Sequence, residues 1–226
     1  MNYGPTTQQL ADAFTEQVQA LGGYRSDCYD DGERLFIRSV LPLTDDVAPG
    51  DTINGGIAVR AAGPSIFVHP YTMRQVCTNG AIMATATQSV RIERVAHNGI
   101  VIPSYDVDAI LARFTDAIVA CAEPDAFLRT TDDMRASMHT SFNLGLHFLQ
   151  MMDRLPIADA RELMRHVLSE MANDDEHTLF DYMNAITATA RDTRDPEARW
   201  YLEEMGGSLI ARVRASTDAV AMSLAG

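Results

Sequence analysis

The sequence predicts an α+β protein: a strand-rich N-terminal part, an antiparallel sheet with an N-terminal helix, followed by an all-helical C-terminal part. Three observations carry this. Up to about residue 103, apolar residues alternate or run in short stretches rich in β-formers. Those stretches are punctuated by turn signals such as Asp30-Asp31-Gly32, Gly63-Pro64 and Asn79-Gly80. From Val107 onward the apolar residues recur at helical spacing. The change of period near Ser104 divides the chain into a strand-rich region, 1–103, a helical region, 104–213, and a small polar tail, 214–226, expected to fray.

Pro5-Thr6-Thr7 opens a helix with Leu10, Phe14, Val18 and Leu21 on one stripe, and Gly22-Gly23 ends it. Residues 24–29 and 34–41 flank Asp30-Asp31-Gly32 as a hairpin. Thr44 to Gly50 reads as a polar loop. Ile53 to Ala62 and Ser65 to His69 are strands around the Gly63-Pro64 turn, with His69-Pro70 closing the second. Asn79-Gly80 reads as a tight turn between strands at 74–78 and 81–87, and Val90 to Ala96 is a further strand.

The helical part opens with Val107, Ile110, Leu111, Phe114, Ala117, Ile118 and Cys121. Pro124 interrupts the pattern, and a second helical stretch covers about 125–152. Pro156 starts a third helix, Leu179 to Ala190 form a fourth, and Asp195-Pro196 starts a fifth that runs through Val213.

No apolar run approaches the roughly 20 residues of a membrane span, and the polar N-terminus has no signal-peptide pattern. The three cysteines, Cys28, Cys77 and Cys121, are too sparse for a disulfide framework or a metal knuckle. A reducing cytoplasm is the expected compartment. All 18 basic residues are arginine, which fits a GC-rich genome or, alternatively, selection against lysine-directed modification.

The net charge of −13 is unevenly spread. Residues 1–51 hold 3 arginines against 9 acids, residues 52–104 hold 4 against 1, and residues 105–226 hold 11 against 21. A broad non-specific DNA coat is excluded, but a local basic face is not. Arg60, Arg74, Arg91 and Arg94 are its candidate residues.

Catalytic constellations are weak. The six histidines form no HExxH pattern, and the pairs Asn143/His147 and His166/Glu170 read as ordinary helix-face neighbours. The sequence implies no metal site, no cofactor and no catalytic residues. Cys77 reads better as a buried strand cysteine before a turn than as a nucleophile. The many methionines fall mostly on apolar helix stripes, where they serve packing or a soft helix interface.

One segment carries a resemblance. Gly56-Ile57-Ala58-Val59-Arg60 precedes the string Arg74-Gln75-Val76-Cys77-Thr78-Asn79-Gly80. Together they resemble the phage/plasmid-like family called domain of unknown function 932. Arg91, Arg94 and His97 match its basic element loosely. Tyr182 to Thr187 and Leu202 to Gly207 look like its C-terminal helices, with Asn184 and Thr187 among the matching positions. The resemblance covers about residues 45–213. The chain is short for the family and differs at Met73-Arg74-Gln75. The resemblance implies a mobile-element context and no settled activity.

Three readings compete. The first is an accessory in nucleic-acid metabolism that binds single-stranded nucleic acid through the basic strands. Strands followed by a long helix are similar, in topology alone, to the core of single-strand annealing recombinases. Phe67 and Tyr71 are the stacking aromatics of the central segment. The second is a non-catalytic assembly protein whose acidic, Met-rich helices bind a protein partner or a second copy. The third is a hydrolase using scattered histidines and acids.

Overall fold

The structure is a computed structural model that describes residues 4–75, 79–84, 89–93, 107–141, 161–162, 164–166, 168–169 and 178–224. It begins with helix α1 (Thr7–Ala20). The Thr6 hydroxyl accepts from the Gln9 N–H while the Gln9 side chain accepts from the Thr6 N–H, a reciprocal N-terminal cap. Gly22, at φ 77°, turns the chain away after the last turn.

Seven strands follow: β1 (Tyr24–Asp30), β2 (Leu35–Val40), β3 (Thr44–Ala48), β4 (Asp51–Ala62), β5 (Ser65–Arg74), β6 (Asn79–Ile82) and β7 (Val90–Glu93). They form one sheet in the order β1-β2-β4-β5-β6, with β3 on β4 and β7 on β5. The pairs β1/β2, β2/β4 and β5/β7 are antiparallel. Helices α2 (Val107–Cys121), α3 (Pro124–Ser137), α4 (Leu179–Asp192) and α5 (Pro196–Leu224) follow, and the described residues between 161 and 169 are helical too; the start of the helix expected from Pro156 lies outside the described residues. The protein is α+β. Among the described residues, nothing after α2 begins is extended except the isolated bridge between Ser141 and Thr178. No described helix is long and apolar enough to cross a membrane.

Several local expectations are corrected. The stretch from Thr44 to Gly50 is not a loop but β3 and its turn, where Gly50 takes φ 80°. Two aspartates hide its strand character, yet Val47 is buried. Pro70 does not end β5, which continues to Arg74; its carbonyl still accepts from the Met83 N–H at 2.9 Å. Asn79 and Gly80 lie inside β6 rather than in a turn, and both are buried. The second helical stretch breaks at Ser137, with Met138 to Thr140 forming a turn, and its expected part from 142 to 152 lies outside the described residues. The tail expected to fray is helical through Leu224.

The chain folds as two compact units. The first comprises Met1–Asp45, Ile53–Met73 and Met83–Phe127, the second Asp46–Thr52, Arg74–Ile82 and Leu128–Gly226. The division therefore does not follow the change of period at Ser104. Helix α2 belongs to the first unit because Ile110, Phe114, Ile118 and Cys121 share one core with α1 and the sheet. That core joins Leu10, Phe14 and Val18 of α1 to Leu35, Ile37, Ile57, Val59, Ile66, Val68 and Ile92 of the strands. A fully buried side chain of this size contributes about 1.5–3 kcal/mol.

In the second unit, α4 and α5 pack as a helical pair together with β6. Thr178 and Asp181 cap α4 reciprocally, and the Asp195 side chain accepts from the Ala198 N–H at the start of α5. Gly206 lets α5 approach α4: a Cβ there would stand 2.7 Å from Cγ2 of Thr187.

Between β2 and β4 the ladder is interrupted. The Ser39 hydroxyl, wholly buried, accepts from the Ile57 N–H at 3.1 Å. Gly56 meets the Ser39 carbonyl so closely that a Cβ would overlap it. Gly56→Ala therefore forces backbone to move and is expected to cost about 2 kcal/mol or more. Gly63→Ala, strained at φ 59° but facing open space, costs about 1 kcal/mol. Urea unfolding of both variants measures this; equal losses would refute the close-approach explanation.

Candidate nucleic-acid interface

The core of the first unit decides what the other face of its strands displays. Leu35 and Ile37, Ile57 and Val59, Ile66 and Val68, and Ile92 point toward α1 and α2. Strand alternation then sends Phe36 and Arg38, Ala58 and Arg60, Phe67 and His69, and Arg91 to the opposite face.

Register aligns part of this set into a transverse row. Tyr29 of β1 stands opposite Phe36 of β2, and Phe36 stands opposite Arg60 of β4. Phe67 of β5 stands opposite Arg91 of β7. The Arg60 guanidinium bridges the two halves, 5.9 Å from the Phe36 ring centroid and 5.7 Å from that of Phe67. Arg91 lies 5.5 Å from the Phe67 ring. Tyr29 meets Phe36 edge-on with centroids 6.1 Å apart. Arg34 closes the row, 5.7 Å from the Tyr29 ring. Guanidinium planes over aromatic faces are favourable cation–π contacts.

Exposure grades along the row. Tyr29 is 39% exposed, Phe36 is fully covered, Arg60 and Phe67 are half-buried, and Arg91 is exposed. Carboxylates temper the charge. Asp31 accepts from the Arg34 side chain at 2.8 and 2.9 Å and from the backbone N–H groups of Glu33 and Arg34, which holds its carboxyl well below the usual range. Buried Arg38 pairs with Asp27 at 3.2 Å.

Of the four arginines singled out from sequence, Arg60 and Arg91 come together on Phe67. Arg74 belongs to the second unit, where it pairs with Asp51 at 2.5 Å and lies 5.6 Å from the Phe180 ring. Arg94 is outside the described residues, as are Cys77, Thr78 and His97. The remaining positions of the family resemblance sit around α4. The Asn79 side chain accepts from Arg191 at 3.3 Å, and Gly80 is buried in β6. Asn184 is half-buried, and the Thr187 hydroxyl donates to the carbonyls of Met183 and Asn184.

Sequence reasoning missed Tyr29, Arg34, Phe36 and Arg38. The signal was present in Arg34-Leu35-Phe36-Ile37-Arg38, where every second residue is charged or aromatic. Tyr71, weighed as a stacking residue, is buried. So are Met134 and Met183, which serve the core rather than a partner surface. Among the described residues no three His, Cys, Asp or Glu side chains gather as metal ligands. Cys28 is exposed, and burial pushes the Cys121 thiol up to about 12.

His69 stacks on Phe67 with centroids 6.1 Å apart and 18° between planes. Burial lowers its pKa to about 4, so it is neutral near pH 7. The folded value lies below the unfolded value of about 6.5, so the unfolded chain binds the extra proton. Stability is complete above that unfolded value and is lost as pH falls toward 4, by about 3 kcal/mol at the full shift. Urea unfolding between pH 7 and pH 4.5 is expected to show a shallower fall in His69→Gln than in the wild type. Parallel curves would show that His69 titrates normally.

Comparison with known proteins finds no matching family model, no curated relative and no similar solved structure for this chain.

Proposed function

We propose that this protein is a phage- or plasmid-type accessory in nucleic-acid metabolism that binds nucleic acid through the strand face carrying Arg60 and Arg91. One observation supports the reading above others: both guanidiniums lie over the same half-buried ring, Phe67. A guanidinium held over an aromatic ring is pre-oriented, so less side-chain freedom is lost when it takes a phosphate. Aromatic rings and guanidinium planes are both surfaces on which a base can stack, whatever its identity. Arg60 and Arg91, the two arginines of residues 52–104 that meet on Phe67, supply the local positive charge for this face. The mobile-element context rests on the resemblance of Gly56 to Gly80 to the phage/plasmid-like family.

The experiment is fluorescence anisotropy with labelled single-stranded and duplex oligonucleotides across a salt series. Two phosphate contacts release few counterions, so the slope of log affinity against log salt is expected near −1.4 for single strands and −1.8 for duplex, about −0.7 or −0.9 per contact. Arg60→Ala and Arg91→Ala each lower affinity similarly for every sequence and flatten that slope by about one contact. Arg113→Ala, on α2, leaves binding unchanged. The proposal falls if the wild type binds nothing at low salt, or if folded Arg60→Ala/Arg91→Ala protein binds as well as the wild type.

A further inference from the structure

We infer that the nucleic acid held at Arg60 and Arg91 is single-stranded, and that it crosses the strands along the transverse row to reach a second stacking platform at Tyr29. This rests on the function proposed above and adds the ligand's form, its path and a binding residue.

The row is continuous. Tyr29, Phe36 and Arg60 are consecutive register partners on β1, β2 and β4, and Phe67 and Arg91 are partners on β5 and β7. Arg60 lies within 6 Å of a ring on each side, so the side chains run on from one group to the other, although β2 contributes no exposed surface between them. Neighbouring strands lie about 4.8 Å apart, so the five-strand row is roughly 19 Å long.

Along that length two rings offer surface. Phe67 is half-buried between Arg60 and Arg91, and Tyr29 is 39% exposed at the other end. Phe36, between them, is fully covered and supports its neighbours. Three strand spacings separate the two platforms, roughly 14 Å. A mononucleotide meets one platform; a strand several nucleotides long meets both.

The rings choose the form of the ligand. A duplex keeps its bases stacked inside and offers phosphates, sugars and groove edges, none of which uses an aromatic face. An unpaired strand offers each base for stacking. The charge pattern agrees. Arg34 and Arg38 already hold Asp31 and Asp27, so the face is a weak electrostatic trap for a rigid polyanion. Stacking must supply much of the affinity, and stacking selects single strands. Arg34 also fixes the Tyr29 ring: its guanidinium lies over the ring, and the Tyr29 hydroxyl donates to the same Asp31 carboxylate at 3.2 Å. The platform is held ready by the hairpin turn.

The test compares a twelve-nucleotide oligothymidylate with a twelve-base-pair duplex, using wild type, Tyr29→Ala, Tyr29→Phe and Arg60→Ala/Arg91→Ala. Tyr29 lies on a strand exposed over nearly its whole length, so Tyr29→Ala is expected to keep the fold, checked by circular dichroism and thermal melting. The expected result is at least tenfold preference for the single strand. Tyr29→Ala then loses about 5- to 100-fold of single-strand affinity, the range of one base–aromatic stack, and Tyr29→Phe retains it. Photocrosslinking of a 5-iodouracil oligonucleotide is expected to mark Tyr29. If the arginine pair matters while Tyr29→Ala binds like the wild type, or if duplex binds as well as single strand, the inference falls and the proposed function stands. If the wild type binds neither ligand, both fall.

Discussion

The burial of α1 and α2 against one face of the strands fixes the direction of every other side chain in the first unit. Leu10, Phe14, Phe114 and Ile118 meet Ile37, Ile57, Val59, Ile66 and Val68, all without solvent exposure apart from a trace. Alternation leaves the intervening residues no choice of side. A one-residue slip of β5 would drive Phe67 and His69 into that core and turn Ile66 and Val68 outward. The cationic and aromatic row is thus held in place by a core that contains none of its members. It is also why exposed positions such as Arg91 can be altered without loosening the fold.

The second unit is stabilised by different means. Its helices are buried on several sides, so polar groups must find partners within it. Arg199 serves Glu203, which is nearly fully buried, and the Trp200 indole N–H donates to Glu204 at 2.9 Å. Arg74 serves Asp51 and Phe180. Gly206 and Thr187 let α5 and α4 approach closely. The positions that resemble the phage/plasmid-like family in this unit, Arg74, Asn79 and Thr187, therefore have packing and hydrogen-bonding duties. Those duties account for these residues without a chemical site.

Much of this was legible in the sequence, and the illegible parts share a cause. The class, the N-terminal helix, the β1–β2 hairpin and the Gly63 turn follow from local period and turn chemistry, and they stand. The meeting of Arg60 and Arg91 was legible only as parity, since their convergence depends on register across three strands. Phe36 escaped because Leu35–Val40 is buried on both faces and reads as an apolar run. Arg74 and Asp51 are 23 residues apart, beyond any local pattern. At Asn79-Gly80 a strong local turn preference lost to sheet pairing, and Thr44–Ala48 became a strand despite two aspartates. Each departure is a tertiary contact overriding a local propensity.

The absence of lysine acquires a physical consequence once the row is in view. Whatever the origin of the bias, a guanidinium and an ammonium are not equivalent here. Arg34, Arg60, Arg74 and Arg91 each lie over an aromatic ring within 6 Å, and Arg60 lies over two. A planar cation can rest on a ring face and present its edge; a compact, strongly hydrated ammonium gives up more solvation to do so. In a chain of net charge −13, long-range attraction for a polyanion is weak. Under the function proposed above, recognition would rest on contacts made at short range, on stacking and on bidentate hydrogen bonds, the two kinds of contact that arginine beside phenylalanine and tyrosine can make.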